Sequence, residues 1–213
     1  MLYFCYMKKK DLPFSLFRSG QEYSLQEDIS LLPGLSRQYA VMDAGKQIIC
    51  RMIYREGMIK RLSRQRISRT LLPFRYELYT PDRQKLYTIE RRGGMVMYDT
   101  EIRDSKKKLL AIIQQKSLFL RPCFEIRTAE KELVGQLEGG QSDGHYRVKG
   151  ADGKVLGEMY TRKTPWYRRM ITRDIPYIFQ ISRTCPVSLQ EVVSLCLLFS
   201  GMLKRETRIS VKL

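Results

Sequence analysis

Apolar and polar residues alternate along much of this chain, and polar turns interrupt the alternation at regular intervals. Phe124 and Ile126 alternate with Glu125 and Arg127, the pattern of a strand with one buried face. In each unit, turn-forming residues such as Asp152 follow the first strand, and a second apolar strand follows the turn. The pattern therefore predicts five β-hairpins, which begin at Tyr39, Tyr76, Thr100, Phe124 and Tyr146.

Two further segments have the composition of strands. Leu2–Met7 is the predicted eleventh strand, and Tyr177–Ser182 is the predicted twelfth. A regular series of antiparallel strands with one apolar face closes into a barrel or stacks as a sandwich. The sequence thus predicts a mainly β protein of about twelve antiparallel strands.

The most apolar segment of the chain is Val192 to Leu203, near the C-terminus. A helix of that length spans roughly 18 Å, whereas the hydrocarbon core of a bilayer is about 30 Å thick. Apolar residues occupy every side of this helix, so it has to be enclosed on all sides. A closed barrel of about twelve strands is wide enough to hold one helix, and we expect the helix in its lumen.

The start of this helix also has a sequence signal. Ser188 and Glu191 have the spacing of a capping box, with Val187 and Val192 placed as a hydrophobic staple around it. We therefore expect a core helix over residues 188–206 and a short tail over residues 207–213.

The N-terminal part is harder to interpret. The segment from Ser24 has the spacing of a second capping box, with Glu27, and ends before Pro33 and Gly34. The expectation is a strand and a short helix within residues 1–36, belonging to the barrel or packed on it, and one barrel domain over residues 37–206.

The composition adds a strong positive charge to this fold. The 213 residues include 39 Lys and Arg against 22 Asp and Glu, a formal net charge of +17. Such a balance indicates anionic partners, namely membrane lipid, nucleic acid or an acidic protein; the alternative is a solvated basic surface without a ligand. Five scattered cysteines without metal-site spacing and no signal-peptide pattern indicate a cytoplasmic protein, peripheral at the membrane if it binds lipid.

The hairpin units, the strand YIFQIS and the terminal helix VVSLCLLFSGML together resemble the tubby C-terminal superfamily, in its scramblase-like and LURP-one-related branch. The resemblance spans about Arg37 to Glu206 and implies a closed antiparallel barrel around a hydrophobic helix. It also implies binding of phosphoinositide head groups by basic residues of the barrel surface. The cysteine-rich segment and acidic calcium loop of scramblases have no counterpart here, so no calcium site is expected.

Two basic runs are the candidate binding residues. The first interrupts the hairpin series and has a loosely apolar side, which is typical of a basic amphipathic element at a membrane and also of a solvated edge or loop. The second surrounds a tryptophan, which suits a membrane interface, stacking of single-stranded nucleic acid bases, or a plug at the barrel end. The residues are Arg55, Lys60, Arg61, Arg64, Arg66 and Arg69 in the first run, and Lys163, Trp166, Arg168 and Arg169 in the second.

Catalytic chemistry has little support in the sequence. The one histidine, His145, lies near Ser142 and Asp143 in one glycine-rich turn, where neighbouring residues cannot orient one another as a triad. No metal or cofactor motif is present. The expectation is a non-enzymatic protein without cofactor that binds phospholipid head groups at the inner membrane surface; the alternative is a nucleic-acid-binding or regulatory protein-interaction module that uses the same basic surface.

Overall fold

The computed structural model describes residues 16–28, 38–55, 73–91, 99–116, 123–139, 144–161 and 177–210, with the side chains of the last segment described to Leu203. These residues form a closed antiparallel barrel of twelve strands and one C-terminal helix, α1, at Val187–Ser210. The strands are Glu22–Asp28 (β1), Gln38–Met42 (β2), Ile48–Arg55 (β3), Phe74–Tyr79 (β4), Lys85–Arg91 (β5), Asp99–Asp104 (β6), Leu109–Gln115 (β7), Cys123–Thr128 (β8), Leu133–Gly139 (β9), Tyr146–Gly150 (β10), Val155–Thr161 (β11) and Tyr177–Ile181 (β12).

Each strand pairs with its neighbours in sequence, and β1 closes the barrel by pairing with both β12 and β2. Closure satisfies the backbone of every strand and leaves no sheet edge. The predicted mainly β barrel of twelve strands around a helix is confirmed. Leu2–Met7, the predicted eleventh strand, lies outside the described residues.

One expectation for the N-terminal part is wrong. The segment from Ser24 to Asp28 belongs to strand β1 and not to a short helix. Tyr23 and Leu25 alternate inward and are buried in the core, because the segment has partners on both sides. That tertiary pairing outweighs the local spacing of Ser24 and Glu27.

The five predicted hairpins are present, and their turns share one geometry. In each, the residue two positions before the second strand has a positive φ: 63° at Lys46, 64° at Arg83, 66° at Lys107, 67° at Lys131 and 79° at Gly153. Its N–H donates to the carbonyl three residues earlier, for example from Lys107 to Asp104 at 3.0 Å. All five turns lie at one end of the barrel, which we call the turn rim; the opposite end is the loop rim.

Helix α1 fills the lumen, as its all-round apolar pattern predicts. Leu195, Leu197 and Leu198 are fully buried, and Phe199 packs edge-on against Phe124 at 5.7 Å between ring centroids. On the wall formed by β10 to β12, Gly157 provides the room for close approach. A Cβ atom at Gly157 would lie 2.9 Å from Val193 and 3.1 Å from Leu197. In the described part of the chain, no helix has both the length and the apolarity that crossing a membrane needs.

The start of α1 differs from the expected one. The helix begins at Val187, so Ser188 lies inside the first turn and the predicted capping box does not mark the N-terminus. Val187 is 68% exposed and therefore does not form a staple. Glu191 is buried at 6% exposure, since the helix is exposed at Val187 and Ser188 and becomes buried from Gln190 onward.

Candidate anion-binding surface

The candidate surface lies on the outer wall of strands β3, β4 and β5. Along β4, Phe74, Tyr76 and Leu78 are buried in the core, and the alternate residues face outward. The register brings Arg55 of β3 opposite Arg75 of β4, and Tyr79 of β4 opposite Lys85 of β5. Outward side chains of three neighbouring strands therefore meet in the middle of this wall.

Glu77 is the centre of this group. Its Oε1 accepts hydrogen bonds from Lys85 Nζ at 2.7 Å and from Arg75 Nη2 and Nε at 2.8 and 3.2 Å. Its Oε2 accepts hydrogen bonds from the Tyr79 hydroxyl at 2.8 Å and from Arg55 Nε at 3.1 Å. We call these five residues the Glu77 cluster.

The carboxylate of Glu77 is ionised at neutral pH although its side chain is only 8% exposed. Burial raises its pKa, but the hydrogen bonds from Lys85, Tyr79, Arg55 and Arg75 together outweigh that effect and lower the pKa to about 2. Hydrogen bonding to Tyr79 and to Glu77 raises the pKa of Arg55. Three cations around one carboxylate leave the cluster with two net positive charges.

The cations of the cluster remain within reach of a ligand. The side chains of Arg55, Arg75 and Lys85 are 55%, 46% and 32% exposed. Arg75 uses Nε and Nη2 for Glu77, whereas a guanidinium has five N–H donors. The cluster therefore presents donors to solvent while its central carboxylate holds the side chains in place.

The other outward carboxylates of the described strands have fewer cations. Glu101 pairs with Arg103, and Glu138 pairs with Lys149, each at 2.7 Å. Glu125 pairs with Arg127 at 2.7 Å and with Lys116 at 3.2 Å. These pairs are close to neutral or carry one excess charge. The Glu77 cluster is thus the most strongly positive ion-pair group that the described residues show.

The charges of the described strands are unevenly distributed around the barrel. Strands β3, β4 and β5 contain Arg51, Arg55, Arg75, Lys85 and Arg91 against two acids, Glu77 and Glu90. Strands β1, β11 and β12 contain no lysine or arginine; their carboxylates are Glu22, Glu27, Asp28 and Glu158. Arg91 differs from the other four cations, because it is 3% exposed and lies over the Phe74 ring at 4.6 Å.

The strands that flank the two basic runs end at the same end of the barrel. Arg55 and Phe74 are the strand ends on either side of the first run, and Thr161 and Tyr177 are those of the second. All four lie at the loop rim, because neighbouring strands are antiparallel. Of the predicted site residues, only Arg55 is described. Lys60, Arg61, Arg64, Arg66, Arg69, Lys163, Trp166, Arg168 and Arg169 lie outside the described residues.

Sequence analysis missed four members of the cluster: Arg75, Glu77, Tyr79 and Lys85. The signal was the alternation of Arg75, Glu77 and Tyr79 along one strand face, which places them on the same side. Lys85 follows a hairpin turn, and only the strand register shows that it lies opposite Tyr79 on the neighbouring strand.

Other candidate chemistry gives no site. His145 Nε2 lies 3.0 Å from Glu158 Oε2, a part-buried side-chain contact. Burial raises the pKa of the Cys185 thiol to about 11, and it raises that of Cys50 and Cys196 as well. Within the described residues, no three potential metal ligands come together.

One gap in the lumen lies between strand β4 and helix α1. That gap is lined by Phe74, Tyr76, Phe199, Met202 and Leu203, and it is too narrow to admit a water molecule.

No protein-family model matches the chain, and no curated protein matches it. A comparison with solved structures finds the crystal structure of a protein from Arabidopsis thaliana, with 8% identical residues and a TM-score of 0.48. The match covers 87% of this chain and 93% of the other. The fold and the surface described above rest on this chain's own structure.

Proposed function

We propose that this chain is a non-enzymatic member of the tubby-like superfamily, of its scramblase-like and LURP-one-related branch, and that it binds phospholipid head groups at the inner membrane surface. The observation that carries the proposal is the Glu77 cluster, an exposed group of three cations around one buried carboxylate on the outer wall. The basic runs that contain Arg61 and Trp166 lie outside the described residues, and their part in binding is proposed from the sequence alone.

The energetics favour a charged planar partner. A lysine or arginine close to an anionic leaflet contributes about 1 kcal/mol, and the contribution falls within a Debye length of about 8 Å. The cations of the Glu77 cluster are fixed by hydrogen bonds before a ligand arrives, which reduces the entropy lost on binding. Several such cations on one wall are enough for reversible peripheral attachment.

The charge distribution gives the proposed orientation. The wall of β3 to β5 attracts an anionic surface, whereas the wall of β1, β11 and β12 has carboxylates and no cation in its strands. A barrel with these two walls turns its basic side to the membrane, because electrostatic steering acts over the whole surface.

The test is co-sedimentation with vesicles, read together with the fluorescence of Trp166, the single tryptophan of the chain. Phosphatidylcholine vesicles are compared with vesicles that also contain phosphatidylserine, with and without competing single-stranded DNA. We expect binding only to the anionic vesicles, a blue shift of Trp166 emission, and persistence of both in the presence of DNA.

Two results would contradict the proposal. If DNA removes the protein from the vesicles, the basic surface serves nucleic acid instead. If the protein binds neither vesicle nor DNA, the positive charge is solvated surface, and a protein partner becomes the next hypothesis to test.

A further inference from the structure

Glu77 is an unusual residue to find at the centre of an anion-binding surface, because its own charge repels an anionic ligand. We propose that Glu77 is the positioning residue of this surface, and that it makes the surface prefer compact anions of two or more charges over the same charge spread across separate univalent groups. This inference rests on the proposed function and adds its selectivity.

The geometry behind the inference is the sharing of one carboxylate by three strands. Lys85 Nζ and Arg75 Nη2 both donate to Oε1, so the two cationic groups are held next to each other. Arg55 Nε is held at the other oxygen, Oε2. Without Glu77 these three cations repel one another, and each long side chain regains its rotamer freedom.

Glu77 also sets the charge that a ligand meets. It lowers the net positive charge of the cluster from three to two. A univalent head group should therefore bind the cluster only slightly more tightly than it binds another basic patch. A compact dianion contacts two positioned cations at once, and the second contact is made at high effective concentration. Phosphomonoester and diphosphate groups have this chemistry, and the planar fork of Arg75 suits their oxygen geometry.

The substitution Glu77→Gln should have two opposing effects on anion binding. Glu77→Gln raises the positive charge of the cluster by one, which strengthens attraction to any anionic membrane. The same substitution removes the anchor of Arg55, Arg75 and Lys85, which weakens binding of a compact dianion. The preference between the two kinds of anion therefore falls even as the net charge rises.

The experiment compares the full chain with Glu77→Gln on two kinds of vesicle of equal measured surface potential. One kind contains phosphatidic acid, whose head group is a phosphomonoester, and the other contains phosphatidylserine. We expect wild-type protein to prefer phosphatidic acid by about tenfold, which is roughly one additional positioned charge contact. In Glu77→Gln the preference falls to less than about twofold, and phosphatidylserine binding is kept or increased.

Two variants separate positioning from a loss of structure. Arg75→Lys keeps the charge of the cluster and removes the fork, so we expect an intermediate preference. Glu138→Gln removes a carboxylate that pairs with Lys149 on another wall, so it leaves the preference unchanged. A thermal melt of each variant shows which are folded, and the ratio of the two affinities is a readout that simple destabilisation does not move.

Free inorganic diphosphate distinguishes a lipid head group from a soluble phosphate as the source of the charge. If it displaces wild-type protein from phosphatidic acid vesicles and does not displace Glu77→Gln, the cluster recognises the phosphate group itself. If it displaces neither, positioning by Glu77 operates only at a membrane, and the inference stands for lipid alone.

The outcomes against the inference are distinct from those against the proposed function. Equal wild-type affinity for the two vesicles, or a preference retained in Glu77→Gln, overturns the role of Glu77 and leaves lipid binding intact. No wild-type binding to either vesicle overturns both.

Discussion

Glu77 couples the stability of the barrel to pH in a definite direction. Its pKa is lowered to about 2 in the folded protein, from an ordinary value of 4.5. A carboxyl with a lowered pKa contributes stability that is present above its unfolded pKa and is lost as the pH falls through the folded value. We therefore expect the free energy of unfolding, measured by urea denaturation, to fall as the pH is lowered from 5 to 2. The fall should be about 2 kcal/mol larger in wild-type protein than in Glu77→Gln.

Glu138→Gln is the control for this prediction, since Glu138 is 42% exposed and pairs with Lys149. Its pH profile should follow that of wild type, because exposed pairs contribute little. Parallel profiles for wild type and Glu77→Gln would mean that the hydrogen bonds to Glu77 do not favour its ionised form in solution.

The hairpin turns carry a second residue-scale prediction. Gly153 has a φ of 79°, and a Cβ atom there would meet nothing within 4 Å, so Gly153→Ala changes backbone strain alone. We expect it to cost about 1 kcal/mol in chemical denaturation. Lys107→Gly is the reverse change at the corresponding turn position, and it should be neutral or stabilising. A large loss for Lys107→Gly would show that its side chain has a structural role.

Sequence reasoning reached part of the surface at this scale. It selected Arg55 because the residue opens a basic run, and the structure brings Arg55 to Glu77. It passed over Glu77, because a carboxylate counts against an anion site when only charge is considered. The role of Glu77 comes from burial and from the register of three strands, and neither is visible along one strand.

Helix α1 is the element on which the core depends. Leu198 is fully buried in the lumen, so Leu198→Ala should lower the free energy of unfolding by about 2–5 kcal/mol, measured by urea denaturation. Val187 is 68% exposed at the first turn, so Val187→Ala should change it by less than about 0.5 kcal/mol. Similar small effects at both positions would contradict a helix enclosed by strands.

The pattern of α1 predicted its environment better than its ends. Apolar residues on every side require complete enclosure, and this argument does not depend on detail. The helix begins at Val187, before the chain becomes buried at Gln190, so the spacing of Ser188 and Glu191 did not mark its start. Strand β1 was missed because the alternation of Tyr23 and Leu25 is short and its partners are distant in sequence.

At the scale of the whole molecule, closure and polarity are two separate properties. Closure was predictable, because regular hairpins leave unpaired edges unless the first and last strands meet. Polarity was not, because the charge of a wall depends on which strands are neighbours around the barrel. The strand order places the basic strands β3 to β5 side by side in one wall. It places the acidic strands β1, β11 and β12 side by side in another.

In the proposed function, the wall of β3 to β5 attaches the barrel to anionic membranes. We would neutralise the Glu77 cluster with Arg55→Gln, Arg75→Gln, Glu77→Gln and Lys85→Gln together, which lowers the net charge by two and leaves no buried unpaired carboxylate. The matched control is Arg147→Gln with Lys149→Gln, which lowers the net charge equally on strand β10.

The measurement is the dissociation constant of each variant for phosphatidylserine vesicles at physiological salt. Two cations facing the membrane contribute about 2 kcal/mol, so the cluster variant should bind at least tenfold more weakly than wild type. The β10 control should stay within about threefold, because its charges face away from the membrane. Equal losses in the two variants would mean that only total charge matters, and the claim for this wall would be wrong.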